Sequence, residues 1–378
     1  MTTGLLDLVR RRLVQDGVTP TARSVADALR VEGQVVGGGA VLELVDRLRA
    51  DMLGAGPLDP LLALPGVTDV LVNGPDDVFV DRGDGLERTD VRFADDDAVR
   101  RLAQRIAAIA GRRLDDASPW VDARLPDGTR VHAVLAPLAR PGTTVSLRIP
   151  ARTSVSLDEL AALGACPHGV DDDLRALVAA RASFVVTGGT GSGKTTLLAA
   201  LLSLVEPDER IVLVEDAAEL HLRHPHVVGL EARPPNVEGA GEVTVRDLVR
   251  QALRMRPDRV VVGEVRGAEV VDLLAALNTG HEGGCGTVHA NAPIDVPARF
   301  EALGVAAGLP REAVHSQLGA GVDVVVHLGH HRARGRHVAQ IAVLEARDGL
   351  VHAIPALHLD GDTRRRGPGA ERLAALVR

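Results

Sequence analysis

The sequence predicts an α/β domain in the second half of the chain, a smaller α+β domain before it, and a helical extension at the start. Three observations carry this. Beyond residue 159 short apolar runs (SFVVT, RIVLVE, RVVVGE and GTVHA) alternate with helical patterns, as strands buried on both faces of a parallel sheet do. The first of these runs leads directly into a glycine-rich turn and then a helix, in FVVTGGTGSGKTT at 184–196. Between about 55 and 150 the pattern is different, with short strands around one helix. A chain of 378 residues is long enough to bury a core in each domain.

Residues 1–52 read as helices. Leu5, Leu6, Leu8 and Val9, then Leu13 and Val14, recur at helical spacing beside Arg10, Arg11 and Arg12, a run best read as a solvated face. A second helix over roughly 40–52 follows a glycine break at Gly37–Gly39. The α+β domain occupies 53–150. VTDVLVNG and DVFVDRG are strands split by a PDD turn, a helix over 97–111 aligns Val99, Leu102, Ile106 and Ile109, and RVHAVLAPLA and TTVSLRIP add strands. A linker over 151–158 ends where Ser156 and Glu159 make a capping box. The α/β domain follows over 159–356, with a helix in TVRDLVRQALRM capped by Thr244 and stopped by Pro257, after a loop expected to be mobile over 231–243. Residues 357–378 read as a loosely attached tail.

Composition narrows the function. Hydrophobic residues at 46% and charged residues at 25% fit an ordinary soluble globular protein. A formal charge of −8 argues against a chain built to neutralise a phosphate backbone. Aromatic content of 1%, with no Tyr, leaves little on which to stack single-stranded bases, so no direct nucleic-acid contact is expected. Cys166 and Cys285 cannot supply a disulfide framework or a four-thiolate zinc site, and are expected as reduced core thiols. No signal-peptide pattern opens the chain, and no apolar run approaches the roughly 20 residues of a membrane-spanning helix. The expectation is a soluble protein able to reach a membrane through a partner.

The chemistry concentrates at the glycine-rich turn. Gly188, Gly193, Lys194 and Thr195 satisfy G-x-x-x-x-G-K-T. In such a loop Gly188, Gly189, Thr190, Gly191, Ser192 and Gly193 turn backbone N–H groups toward phosphates, and the helix N-terminus adds its dipole. Lys194 is expected at the β and γ oxygens, the Thr195 hydroxyl on Mg²⁺, and Thr196 beside it in the first helical turn. The motif predicts a bound nucleoside triphosphate and is silent on its use. Two acidic strand ends bear on cleavage. RVVVGE ends in Glu264, placed to hold Mg²⁺ partly through water or to orient the attacking water. RIVLVEDAAEL ends in a second acidic cluster, Glu215, Asp216 and Glu219; two such clusters at sheet ends in one phosphate-loop domain point to a role in cleavage rather than to solvated strand ends or helix caps. His289 in GTVHAN is expected as a phosphate sensor, with His281 in NTGHEGG before it.

In order, TGGTGSGKTT, LVEDAAEL, LRMRPDRVVVGEVRGAE and NTGHEGGCGTVHAN resemble the Walker A loop, Asp box, Walker B strand and His box of the type II and type IV secretion ATPases. Within them the chain looks most like the branch that assembles Flp/Tad pili, the CpaF-like proteins, and SPWVDARLPDGTRVHAVLAPLA resembles that branch's PAS-like N-terminal domain. The resemblance covers about 50–355. It implies a RecA-like domain that hydrolyses ATP with Mg²⁺, and a homo-hexameric ring at the cytoplasmic face of the inner membrane. That ring would drive the platform protein of a pilus or secretion system. Arg124, Arg130 and Arg148 match family residues that approach the nucleotide from the N-terminal domain or the neighbouring subunit. Two cysteines cannot form the zinc module of many relatives, and AIRNLIRE, a motif of retraction motors, does not occur; both absences favour the Tad or conjugation-like branch. Gly263–Glu264 has no preceding Asp, so either Glu215 or Glu264 can be argued to polarise water; Glu215 is favoured as base and Glu264 as Mg²⁺ organiser. A type IV secretion or conjugation ATPase, a nucleic-acid translocase and a non-hydrolysing ATP switch remain as alternatives.

Overall fold

A computed structural model describes residues 5, 8–9, 11–13, 18, 20–34, 36–52, 55–83, 85–125, 127–150, 154–235, 239–280, 282–331, 335–360 and 363–378. Contacts divide the chain into two compact units, 1–150 and 151–378.

The first unit begins with helix. The described residues among 5–13 are helical, while Leu6, Arg10 and Val14 lie outside the described residues. Helix α1 (Ala22–Val31) starts at Thr21, whose hydroxyl accepts the Ser24 N–H at 3.1 Å. Helix α2 (Gly38–Met52) begins inside the glycine run that the sequence marks as a break. Val9, Leu13, Val25, Leu29, Leu44 and Leu48 bury one another in a small core. A short helix α3 (Asp59–Leu62) leads to six strands around helix α4 (Asp96–Ile109): β1 (Asp69–Asn73), β2 (Val78–Asp81), β3 (Leu86–Arg88), β4 (Trp120–Arg124), β5 (Arg130–Val134) and β6 (Thr144–Arg148). They form one antiparallel sheet in the order β3-β2-β1-β6-β5-β4. Alternation decides its faces. Val121, Val131, Ala133, Val145 and Leu147 are buried with Val99, Leu102 and Ile106 of α4, and the intervening side chains face away. Ile109, expected on the same helix face, is 45% exposed because the helix ends there.

The second unit opens with α5 (Leu157–Ala162), which starts inside the expected linker. Ser156 Oγ accepts the Glu159 N–H at 3.1 Å and the Ser156 N–H donates to Glu159 at 2.6 Å, the reciprocal cap anticipated from the sequence. Then come α6 (Val170–Ala179), β7 (Phe184–Gly188), α7 (Lys194–Leu202), β8 (Ile211–Glu215), β9 (Val227–Glu231), α8 (Val245–Ala252), β10 (Arg259–Val265), α9 (Glu269–Leu277), β11 (Cys285–Val288), α10 (Val296–Ala306), α11 (Arg311–Gly321) and β12 (Val324–His331). The chain ends with β13 (Gly335–Arg347), β14 (Leu350–Asp360), β15 (Thr363–Arg366) and α12 (Ala370–Leu376). The nine strands lie in the order β15-β14-β13-β12-β7-β11-β10-β8-β9. Strands β12 through β9 run parallel, and β13 to β15 extend the sheet antiparallel. Every residue of β7 and β8 is buried, which is why they read as unbroken apolar runs. Helices cover both faces in two cores, one around α7 and one around α9 to α11.

Two expectations change. The sheet has five strands beyond the four apolar runs, β9 and β12 to β15. The end of the chain is no loose tail: β14 and β15 complete the sheet, and Leu373 of α12 is 4% exposed in the core around α7. The loop over 231–243 is pinned by backbone hydrogen bonds between Arg233 and Val243, with 236–238 outside the described residues. Cys166 and Cys285 are buried, and burial pushes their thiols up to about 11 and about 12, so both stay protonated and inert.

Candidate active site

Strand β7 delivers the glycine-rich turn to the carboxyl edge of the parallel sheet. Gly188 has φ +150°, and a Cβ there would lie 2.6 Å from Ser192 Oγ and 2.8 Å from the Leu328 carbonyl. Gly191 (φ +70°) and Gly193 (φ +93°) are left-handed. Left-handed glycines of this kind are what an anion-binding loop uses to turn successive N–H groups to one side. Lys194 opens α7 and is 7% exposed, its Nζ donating to the carbonyls of Gly188 at 3.1 Å and Gly189 at 2.9 Å. Burial lowers its pKa, Arg266 adds to the effect, and Glu264 opposes it. Thr195 and Thr196 follow in the first turn, half-buried and exposed. Ser192 Oγ is buried with no hydrogen-bond partner among the described residues.

Glu264 reaches this loop from β10, two strands away. The β10–β11 register shifts between Val262 and Val265, an irregularity that re-aims the side chains it contains. Glu264 Oε1 lies 2.6 Å from His289 Nε2, and Oε2 accepts from Arg266. His289, one residue past β11, has Nδ1 at 3.5 Å from Lys194 Nζ. An ammonium has only donors, so Nδ1 accepts in that contact and the ring proton is left on Nε2. The result is a run of close contacts Lys194–His289–Glu264–Arg266, in which Glu264 Oε1, though 2.6 Å from Nε2, is buried and accepts no aligned hydrogen bond among the described residues. Burial pushes the Glu264 carboxyl up, but Arg266, His289 and Lys194 outweigh it and hold it below its ordinary value. His289 is lowered by burial and by Lys194, against the pull of Glu264.

Glu215 ends β8 at 5% exposure, and its Oε1 accepts the N–H groups of Glu219 at 2.9 Å and Leu220 at 3.0 Å. It therefore organises the turn after its own strand. Gly263 makes room for it, since a Cβ there would lie 2.8 Å from Glu215 Cγ, and the Gly263 carbonyl is fixed by the Thr287 hydroxyl at 2.7 Å. Asp216 comes only within 4.0 Å of Arg266. The structure thus joins Lys194, His289 and Glu264 directly, and Glu215 borders them through Gly263. His281 lies outside the described residues. Two participants were not read from the sequence. Gly263 carries no motif of its own in this role, and His327 meets Thr187 of β7 at 2.8 Å only because β12 pairs beside β7.

In the first unit, Arg124 pairs directly with Arg130 across β4–β5, and Arg130 with Arg148 across β5–β6. Directly opposed residues share a sheet face, so the three arginines form one row, continued by Asp69 on β1. Arg124 Nε donates to the Gly128 carbonyl at 3.4 Å.

The second unit fits a nucleoside triphosphate with Mg²⁺. Its loop is an anion cradle, its lysine is buried beside it, and a hydroxyl and an ionised carboxylate stand near, the sparse set Mg²⁺ takes when phosphates supply other ligands. Among the described residues no cluster of His, Cys, Asp and Glu would hold a metal on its own. Fold and site together define a phosphate-loop α/β domain with a carboxylate–histidine pair at the loop. A family model described as "Type II/IV secretion system protein" matches residues 51–345, and the chain belongs to that family. It is similar to a Mycobacterium tuberculosis protein named for conjugal transfer, at 59% identity over 86% of this chain and 94% of the other. The type IV secretion system protein VirB11 of Brucella suis is 33% identical over 75% of this chain and 88% of its own. Among solved structures, the Legionella pneumophila ATPase DotB (TM-score 0.52, 20% identity, 73% of this chain and 77% of the other) shares the fold. So does the pilus retraction motor PilT with bound ADP (TM-score 0.52, 22% identity, 74% and 78%). No helix among the described residues is long and apolar enough to cross a membrane.

Proposed function

We propose that the chain is an ATPase that hydrolyses ATP with Mg²⁺ and works as a homo-hexameric ring, powering pilus assembly or protein secretion of the Flp/Tad type. The observation that carries this reading is the chain Lys194–His289–Glu264 at the phosphate loop, a cation, a sensor and an anion linked at one place. A ring of this kind would act on an inner-membrane platform protein from the cytoplasmic face. The 59% identical relative named for conjugal transfer supports a second reading, the ATPase of a type IV secretion or conjugation system.

In this reading each residue of the site has a role. The loop amides from Gly188 to Gly193, with Thr196 beyond them, take the phosphates, and Lys194 exchanges its two loop carbonyls for β and γ oxygens. The Thr195 hydroxyl and Glu264 would hold Mg²⁺, which would supply positive charge against that building on the phosphoryl group. Glu215 polarises the attacking water; its buried carboxylate is fixed by two backbone N–H groups, so it is already oriented. His289 reports the γ-phosphate by trading its contact with Lys194 against Glu264. The row Arg124, Arg130 and Arg148 supplies the further positive charge, from its own or a neighbouring subunit. One such arginine is worth about 10³ to 10⁵ in rate. The six-stranded antiparallel sheet packed against helix α4 supports the PAS-like reading of residues 53–150.

Mixing subunits tests the assembled motor. Lys194→Ala chains are combined with Arg130→Ala or Arg148→Ala chains, each expected to lose activity alone. Partial return of phosphate release is expected, because some interfaces then pair an intact loop with an intact arginine. Full activity of both arginine variants alone rules out the role for them, and loss without recovery in any mixture removes action across subunits.

A further inference from the structure

The sheet order sets Glu264 and His289 on one flank of the loop-bearing strand β7, on β10 and just past β11, and the hairpin β12–β13 on the other. On that second flank Leu328 pairs with Gly188, so everything beyond Leu328 in β12 and its partner β13 extends past the start of the phosphate loop. Across this overhang His330 opposes Arg336, which places both on one face. The Arg336 stem lies against the loop itself: a Cβ on Gly193 would meet Arg336 Cδ at 3.7 Å, ordinary van der Waals contact. Arg336 is exposed, and no carboxylate among the described residues pairs with it. Arg266, also near the loop, is already paired with Glu264. An arginine whose stem packs on the phosphate loop, with no carboxylate partner among the described residues, brings a cation within reach of an anion bound there.

We propose that Arg336 binds the α-phosphate of the nucleotide from the same subunit. This rests on the reading of the loop as a triphosphate site. Hydrolysis requires the γ-phosphate to face Glu264 and His289, and Lys194 takes the β and γ oxygens. The nucleoside end of the phosphate chain is then left to the opposite flank, where Arg336 stands. An α-phosphate contact is made to ATP and ADP alike, which separates it from a contact made to the departing group.

Calorimetric titration of the full chain with Mg²⁺-AMP-PNP and with Mg²⁺-ADP tests this. Arg336→Ala is expected to weaken both by about tenfold or more, as loss of a charge-assisted hydrogen bond does. Arg336→Lys, which keeps the charge, recovers most of the affinity. In steady-state turnover, KM for ATP rises by a similar factor while kcat at saturation stays within about twofold. Wild-type affinity of Arg336→Ala for ADP overturns the proposal, as does a loss confined to AMP-PNP, which places the guanidinium at the γ-phosphate. Absence of nucleotide binding by the wild-type chain is a different failure, that of the phosphate-loop reading.

Discussion

His289 stands between a cation and an anion, and that position determines how pH acts on the site. Its pKa is lowered from 6.5, so the folded chain resists a proton that the unfolded chain accepts. The neutral ring is therefore the native form near neutrality, and its contribution is lost as pH falls below 6.5 toward the lowered value. Protonation also removes Nδ1 as acceptor for Lys194. Turnover is expected to hold level through pH 6.5 and to fall as pH drops through the lowered His289 value beneath it, and His289→Asn, assayed over the same range, lacks that limb. Glu264 does not set it, because its carboxyl is held below 4.5 and stays ionised throughout. The carboxylates separate by metal dependence. Glu215→Gln is expected to bind ATP and stall, with turnover down about 10²- to 10⁴-fold, whereas Glu264→Gln also needs more Mg²⁺. Titrating Mg²⁺ against phosphate release in both decides it; the opposite pattern exchanges the roles. At this scale the phosphate loop was legible because its motif is local: strand, glycines, lysine and helix are consecutive. The capture of Glu215 by the amides of Glu219 and Leu220, and the room left by Gly263, depend on how β8 and β10 pair, and no local pattern reports that.

Among the elements, the parallel strands were legible for the same reason that makes them stable. Buried on both faces, β7, β8 and most of β10 are short apolar runs: Phe184–Val186, Ile211–Val214 and Val260–Val262. The antiparallel extension is harder to read because the buried runs of β13 (Ile341–Leu344) and β14 are short and are flanked by His, Arg, Gln and Glu in β13, by His and Pro in β14 and by the arginines of β15. The last helix was taken for a tail because RRRGPGAERLAALVR is charged and glycine-bearing, yet its Leu373 enters the core. That placement has a stability consequence. Leu373→Ala is expected to cost about 2 to 4 kcal/mol in urea unfolding, as for a buried leucine, and a change under about 0.5 kcal/mol, the range of surface positions, means α12 does not pack there. Gly263→Ala is expected to act locally, lowering turnover by pressing on Glu215, whose Cγ lies 2.8 Å from the added carbon.

For the molecule as a whole, charge and composition matter more than any single contact. With −8 formal charge and 1% aromatics, the chain offers single- or double-stranded DNA little to hold, and neither is expected to raise turnover. A several-fold stimulation that disappears at high salt favours a translocase instead. Membership of the type II/IV secretion system family fits the division of the chain, in which the second unit carries the phosphate loop and the first carries a row of arginines. The measurement that tests hydrolysis at the loop most directly is steady-state phosphate release from Mg²⁺-ATP by the full chain and by Lys194→Ala. The wild type is expected to turn over ATP, and the variant to fall by about 10²-fold or more while keeping its fold by circular dichroism, since it loses one preorganised charge at the phosphates. Equal phosphate release by the two contradicts catalysis at this loop.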